Sequence, residues 1–293
     1  MENIYQIKGE LRNPVVTLGT FDGVHLGHQK IMEIIVQRAE KLKGKSVVAT
    51  YHPHPLEILR EEHYPYLLLE KEKKEEILKK LGIDFVLWLD FDKKMSNKPP
   101  QKFVKDCFVD KLDAREIILG YDWHFGRNRE GDYHLMKKLE KKYDFSVDVV
   151  EEVLVDGKIV SSTQIRDYIN QGNIADANKM LGRNYSIYGK IQRIQKNEEK
   201  NLYECEFQKS EFRKLLPTCG IYRAVVTHKN NDQPVILRIS QNNKKDAKKM
   251  SLLYSDRISL SRGTLEVSVV SQLDLDVNNL DNNLIQKLLQ TKR

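Results

Sequence analysis

From Pro14 to Val150 short apolar runs alternate with segments of helical periodicity, a pattern that a parallel sheet wrapped by helices satisfies and an all-β or all-α fold does not. Strands are expected at Pro14–Leu18, Lys45–Tyr51, Phe85–Leu89, Glu116–Leu119 and Ser146–Val150. Between the first two, Ile31, Ile34, Ile35, Ala39 and Leu42 recur at helical spacing until Gly44. A charged helix is expected over Glu70–Leu81, with Glu and Lys at i, i+4 on a solvated face and Ile77, Leu78 and Leu81 on the buried one. Further helices are expected near Phe103–Lys111, Tyr133–Tyr143, Thr163–Asn170 and Ile174–Met180, the last two stopped by Gly172 and Gly182. After Arg183 the texture changes to strand-like segments, Leu202–Phe207, Ile221–Thr227, Val235–Ser240 and Thr264–Val270, with a terminal helix over Asp281–Gln290. The expected fold is therefore an α/β domain over residues 1–183, then a small β-barrel or sandwich with a C-terminal helix over residues 184–293.

A length of 293 residues suits two domains, and a hydrophobic content of 40% excludes a wholly disordered chain. The net charge of +7 is unevenly placed: residues 1–183 carry 30 basic and 30 acidic side chains, residues 184–293 carry 19 and 12. An anionic partner is thus suggested only for the last third. Cys107, Cys205 and Cys219 are too few and too scattered for a disulfide framework or a paired metal-ligand spacing. With no apolar signal segment in Met1–Glu10 and no membrane-length apolar stretch, the expected location is the cytoplasm, with no membrane partner.

Three segments carry chemistry. Gly19-Thr20-Phe21-Asp22-Gly23-Val24-His25-Leu26-Gly27-His28 sits where the first strand turns into the first helix, a junction at which phosphates bind to backbone N–H groups. His25 and His28 put two imidazoles on one side of that helix start, where they either meet a phosphoryl group or serve as one core and one surface histidine. They do not complete a zinc set, and His52 and His54, beside Pro53 and Pro55, read as phosphate contacts before metal ligands. The stretch from Gly120 to Asp132 follows the fourth strand and should face the same crevice. There Trp123 and Phe125 offer either stacking surface or ordinary core, Asp122 an acceptor, and Arg127 and Arg129 phosphate contacts. Ser161-Ser162-Thr163-Gln164-Ile165-Arg166 reads as a capped helix start, with Ser162 as the cap, or as a second anion site with Arg166 one turn in.

Together with Pro53-His54-Pro55 and Leu181-Gly182-Arg183, these segments resemble, in register over residues 12–190, the prokaryotic FAD synthetases. In that family a Rossmann-like FMN adenylyltransferase domain of the nucleotidyltransferase superfamily precedes a riboflavin kinase β-barrel. The resemblance implies adenylyl transfer from ATP to FMN, giving FAD and pyrophosphate, with Mg²⁺ bound through the ATP phosphates. It assigns His25, His28 and Arg166 to catalysis. Gly19, Thr20, Phe21, Gly27, Ser161, Ser162 and Thr163 fall on the ATP side, and His54, Asp122, Phe125 and Arg127 on the FMN side. The chain departs from the family at His52, where a carboxylate or amide is usual, and at Trp123-His124, where Phe and a basic residue are usual.

The C-terminal block departs further. Riboflavin kinases carry a Gly-rich stretch leading into Pro-Thr-Ala-Asn, and later a glutamate that acts as base on the riboflavin 5′-hydroxyl. Here Tyr188-Gly189-Lys190 begins as that domain should, but Ile191–Leu202 contains no glycine and no such motif. Pro217-Thr218-Cys219 belongs to a later turn, and Glu266 reads as an exposed strand carboxylate. The expectation is a FAD synthetase without riboflavin kinase activity. Alternatives are a bifunctional enzyme, or a regulatory or RNA-binding role for the basic block. Against RNA, that block lacks an aromatic-plus-glycine signature, and Lys244–Lys249 reads as a solvated loop or helix face.

Overall fold

The computed structural model describes residues 11–59, 66–197, 202–209, 213–228, 231–241, 248–255, 260, 263–275, 287 and 289. The chain divides into two compact units, Met1–Pro65 with Lys71–Val160, and Tyr66–Glu70 with Ser161–Arg293. The first is built on a parallel sheet of β1 (Val15–Gly19), β2 (Ser46–His52), β3 (Phe85–Asp90), β4 (Glu116–Gly120) and β5 (Ser146–Val150), in the order β3-β2-β1-β4-β5. Burial explains the order. Val15, Val16, Thr17 and Leu18 of β1 are all buried, as suits a central strand covered on both faces, whereas β5 alternates toward solvent as an edge strand does.

Helices α1 (Leu26–Lys41), α2 (Pro55–Leu59), α3 (Lys71–Lys80), α4 (Lys93–Ser96), α5 (Pro100–Val104) and α6 (Tyr133–Tyr143) connect these strands. α1 buries Ile31, Met32, Ile35 and Ala39, the stripe expected from its periodicity. The helix expected near Phe103–Lys111 is α5 continued by a π-helical stretch, Lys105–Lys111, and together they bury Phe103, Val104, Cys107 and Phe108. A hairpin of β6 (Leu154–Val155) and β7 (Lys158–Ile159) completes the unit. On α3 the solvated face is interrupted: Lys74 is buried with Leu78, one turn away on the same side.

The second unit contains α7 (Ser162–Gln171), α8 (Ile174–Leu181) and a closed antiparallel barrel. Its strands are β8 (Tyr185–Asn197), β9 (Leu202–Lys209), β10 (Gly220–His228), β11 (Asn231–Gln241), β12 (Lys248–Ser255) and β13 (Thr264–Leu273), in the order β10-β11-β12-β9-β8-β13. Leu202, Ile221, Ile236, Leu253 and Leu289 form a barrel core. Asn178 of α8 donates to the carbonyls of Val269 (3.0 Å) and Val270 (3.1 Å) and accepts from Tyr185 N–H (2.7 Å). The compact units accordingly part at residue 160, whereas the sequence texture changes at Arg183.

Tyr66–Glu70 joins this unit through Leu67, whose N–H donates to the Arg213 carbonyl at 2.8 Å and whose carbonyl accepts from Leu215 N–H at 2.9 Å. Beside it the buried Lys214 ammonium donates to the Leu68 carbonyl at 2.7 Å and to Glu70 Oε2 at 3.1 Å. The terminal helix expected over Asp281–Gln290 lies outside the described residues except for Lys287 and Leu289, both helical. Of Lys244–Lys249, only Lys248 and Lys249 are described, and they open β12. Among the described residues no helix is long and apolar enough to cross a membrane.

Candidate active site

β2 and β4 flank β1 in the sheet, and the chain leaves β1 for β2 on one side and returns to β4 on the other. Connections at the carboxyl ends of β1 and β4 therefore diverge, which opens a crevice at the point where strand order reverses. Gly19–His28, His52–His54 and Gly120–Asp132 follow β1, β2 and β4 respectively, so the sheet brings two of the three expected segments and the His52–His54 turn to one edge, whereas Ser161–Arg166 follows the β6–β7 hairpin and belongs to the second unit.

The turn after β1 is tightly specified. A Cβ on Gly19 would lie 3.0 to 3.3 Å from the Phe21 ring, so glycine here makes room for that buried side chain. Phe21 (φ 44°), Gly23 (φ 88°) and Val24 (φ 38°) take left-handed backbone, which glycine accepts freely and phenylalanine and valine do not. His25 then caps α1: its Nδ1 accepts from His28 N–H at 3.4 Å. An imidazole that accepts at Nδ1 carries its proton on Nε2 and donates from there. The His25 and His28 rings stack at 3.6 Å and 18°, with the Phe21 ring edge-on to His28 at 5.2 Å. A Cβ on Gly27 would stand 3.3 Å from the His25 ring. His-x-Gly-His spacing is thus a cap, a clearance and a stacked partner. The first turn of α1 has no acidic residue, which leaves its positive end available to an anion.

One group here was not visible from the sequence. The Lys74 ammonium reaches the Thr20 carbonyl at 2.7 Å, and Thr50 Oγ1 donates to the same oxygen at 3.2 Å. Burial pushes the Lys74 ammonium down to about 8, with the charge of buried Asp22 acting in the opposite direction. Between about pH 8 and the usual lysine value, the unfolded chain keeps a proton that the folded chain has released, so stability from this group rises with pH through that window. In denaturant titrations, the stability of the wild type relative to Lys74→Met is expected to improve by roughly 2 kcal/mol between about pH 7 and about pH 9.5. A constant difference would show that Lys74 titrates normally.

The other two connections are more structural. His54 Nδ1 accepts from Leu56 N–H at 3.2 Å, and the His54 backbone N–H donates to Glu57 Oε1 at 3.2 Å, which starts α2. Phe125 is buried in the main core, stacked on Trp123 at 4.3 Å, and paired through its backbone with Gly131, where a Cβ would lie 2.6 Å from its ring. Asp122 and Arg127 are exposed, Arg127 beside Glu130 at 3.6 Å. In the second unit the helix cap is Ser161 rather than Ser162: Ser161 has extended backbone and its Oγ accepts from Gln164 N–H at 3.2 Å. Ser162 and Thr163 form the first helical turn, again without an acidic residue, and Arg166 Nε donates to the Tyr66 carbonyl at 3.1 Å. Among the described residues, no three His, Cys, Asp or Glu side chains converge to hold a metal.

The FAD synthetase family profile matches residues 7–164, more than half of the chain. The chain belongs to the FAD synthetase family. This FAD synthetase match takes in all three strand-end connections and Ser161–Gln164, and stops before Arg166 and the barrel. A bifunctional riboflavin kinase/FMN adenylyltransferase of Buchnera aphidicola subsp. Acyrthosiphon pisum (strain APS) is 35% identical over 191 residues, 65% of this chain and 61% of that one. The protein of the same description from Escherichia coli (strain K12) is 31% identical over 177 residues, 60% of this chain and 56% of its own. The chain thus spans less than two thirds of the length of these curated relatives. The crystal structure of a macrolide-efflux protein from Streptococcus pneumoniae has the same fold, with a TM-score of 0.80, 23% identity, and coverage of 98% of this chain and 94% of that one.

Proposed function

We propose that this chain transfers the adenylyl group of ATP to FMN, giving FAD and pyrophosphate, and does not phosphorylate riboflavin. The observation that carries the first half is the His25–His28 stack at the start of α1, beside the strand-order reversal of the sheet. An FMN phosphate oxygen attacks the α-phosphorus of ATP, the bond to the bridging oxygen breaks, and pyrophosphate leaves with the electron pair. Such a reaction needs positioning and charge stabilisation more than a base. His25, donating from Nε2, and His28 stabilise charge on the α-phosphate and the leaving group. Gly19, Thr20, Phe21 and Gly27 shape the ATP side through their backbone, and Ser161, Ser162, Thr163 and Arg166 serve the outer phosphates. His54, Asp122 and Arg127 serve FMN, and Phe125 does so by pinning its connection to the core. Mg²⁺ would be held by the ATP phosphate oxygens and would neutralise their charge; among the described residues no three His, Cys, Asp or Glu side chains converge. Residues 1–183 carry this activity and residues 184–293 form a kinase-like barrel without its function. A reducing cytoplasm suits three free cysteines.

Three features support loss of the kinase. Where the riboflavin kinases that this barrel resembles carry their Gly-rich stretch, β8 continues as strand from Tyr185 to Asn197 and pairs with β9 from Gly189 onward, with one register shift between Ile191 and Arg193. The Pro217 carbonyl is taken by Lys248 Nζ at 2.7 Å and that of Thr218 by Tyr222 Oη at 2.7 Å. Glu266 is not the exposed carboxylate its strand position suggested: it is half-buried, its Oε2 engaged as acceptor from Tyr188 Oη at 2.7 Å. An RNA-binding role gains little support, since Lys249 and Arg238 are paired with Glu206 and Glu204. Purified protein given FMN and Mg-ATP is expected to yield FAD and pyrophosphate one for one, and given riboflavin to yield no FMN. FMN from riboflavin would restore the bifunctional reading, and no FAD from FMN would end the adenylyl-transfer one.

A further inference from the structure

Among the described residues of the first unit, Lys74 is the one buried lysine, and neither a salt-bridge geometry nor a surface role accounts for its position. Its Nζ lies 2.7 Å from the Thr20 carbonyl and 5.4 Å from the Trp88 ring centre, and Lys71 Nζ lies 4.8 Å from the same ring centre. Thr50, fully buried in the middle of the sheet, donates to that same carbonyl. Two donors on one oxygen fix the plane of the Thr20–Phe21 peptide. Because that peptide is trans, the Phe21 N–H points to the side opposite the Thr20 oxygen, away from Lys74 and Thr50. Phe21 next holds a left-handed backbone that a phenylalanine reaches only when its surroundings over-determine it. Those surroundings are the Lys74 and Thr50 bonds on one side and the seat of the Phe21 ring over Gly19 on the other.

We infer that Lys74 is a positioning residue for nucleotide binding: by holding the Thr20 carbonyl it aims the Phe21 N–H as a backbone donor to an oxygen of the bound nucleotide. A buried ammonium suits this task better than a neutral donor, since a charge-assisted bond to a carbonyl is short and directional. The buried Asp22 keeps that charge in place. The inference rests on the adenylyl-transfer reading for its ligand, and concerns a residue that makes no contact with the reacting atoms.

The test is calorimetric binding of Mg-ATP alone, which needs no flavin and no turnover, together with KM values for ATP and FMN. Lys74→Met is expected to fold, with a urea midpoint at or above that of the wild type, since a buried charge is removed. Its Mg-ATP affinity should fall by about tenfold and its KM for ATP rise in step, while the KM for FMN stays within about twofold. Thr50→Val should show a loss of about threefold, and Thr50→Ser should restore the wild-type value. A merely structural role would move the two KM values together. The inference is overturned if folded Lys74→Met binds Mg-ATP within about twofold of the wild type. Should Lys74→Met fail to fold, the threonine pair decides, and equal affinities of Thr50→Val and wild type overturn it. Wild-type protein that binds Mg-ATP but forms no FAD defeats the adenylyl-transfer reading and leaves this test intact.

Discussion

FAD formation slowed by about a thousandfold or more is the expected result of replacing both His25 and His28 with alanine, since removing a single preorganised donor to developing charge already costs about a hundredfold or more. The two rings stack at 3.6 Å, so they form one group rather than two independent ones, and each single substitution should recover little of the double loss. His25 also caps α1, and its loss mixes a folding effect of about 1 kcal/mol with the chemical one. His25→Asn separates them. Asparagine keeps a cap acceptor and should keep the melting temperature, yet lacks the imidazole N–H and should remain as slow as alanine. Steady-state FAD formation with a parallel melting curve provides the measurement. A double variant within about tenfold of the wild type would remove the histidines from the chemistry.

Glu70→Ala is expected to destabilise the second unit by about 3–5 kcal/mol, the range seen when one partner of a buried ion pair is removed. Lys214 is 1% exposed, and its ammonium is met by Glu70, by the Leu68 carbonyl and, at 4.4 Å, by the face of Tyr185. Without Glu70, that buried charge loses its carboxylate partner. The pair itself is not an efficient source of stability, because Glu70 Oε1 is buried without a hydrogen-bond partner among the described residues. Glu70→Leu combined with Lys214→Met should therefore lie within about 1 kcal/mol of the wild type. Trp88 and Trp123 both belong to the first unit, so tryptophan fluorescence follows that unit while circular dichroism follows the whole. The Glu70→Ala loss should appear as a dichroism transition moved further than the fluorescence transition. A loss below about 1 kcal/mol would mean that water reaches Lys214.

Where a single element decides its own pattern, the sequence was readable to the residue. α6 and β5 fall at Tyr133–Tyr143 and Ser146–Val150, the bounds their periodicity predicts, because a cap at Asp132 and alternating burial are local properties. β8 and β12 were missed for the opposite reason. Their charged stretches, Lys190–Lys196 and Lys248–Lys249, make poor strands alone and gain their conformation from barrel neighbours on both sides. Lys74 was misread as solvated because five lysines on one short helix look alike until the carbonyl that accepts from one of them is placed by another segment. The histidines after β1 were singled out because spacing, strand end and helix start agree within ten residues. The cap at Ser161 was displaced to Ser162 since adjacent serines offer the same chemistry and only backbone angles distinguish them.

Glycines near a phosphate turn invite the thought that they leave room for the ligand. Here three of them are sockets already filled by the protein: Gly19 seats Phe21, Gly27 seats His25, and Gly131 seats Phe125. A filled socket does not work as a hinge. The connections around the crevice are locked by their own aromatic rings during folding, so the entropy of ordering them is spent before any nucleotide arrives. On the proposed function, nucleotide association would then have little backbone left to freeze, and affinity would be directed toward the charge that appears during transfer.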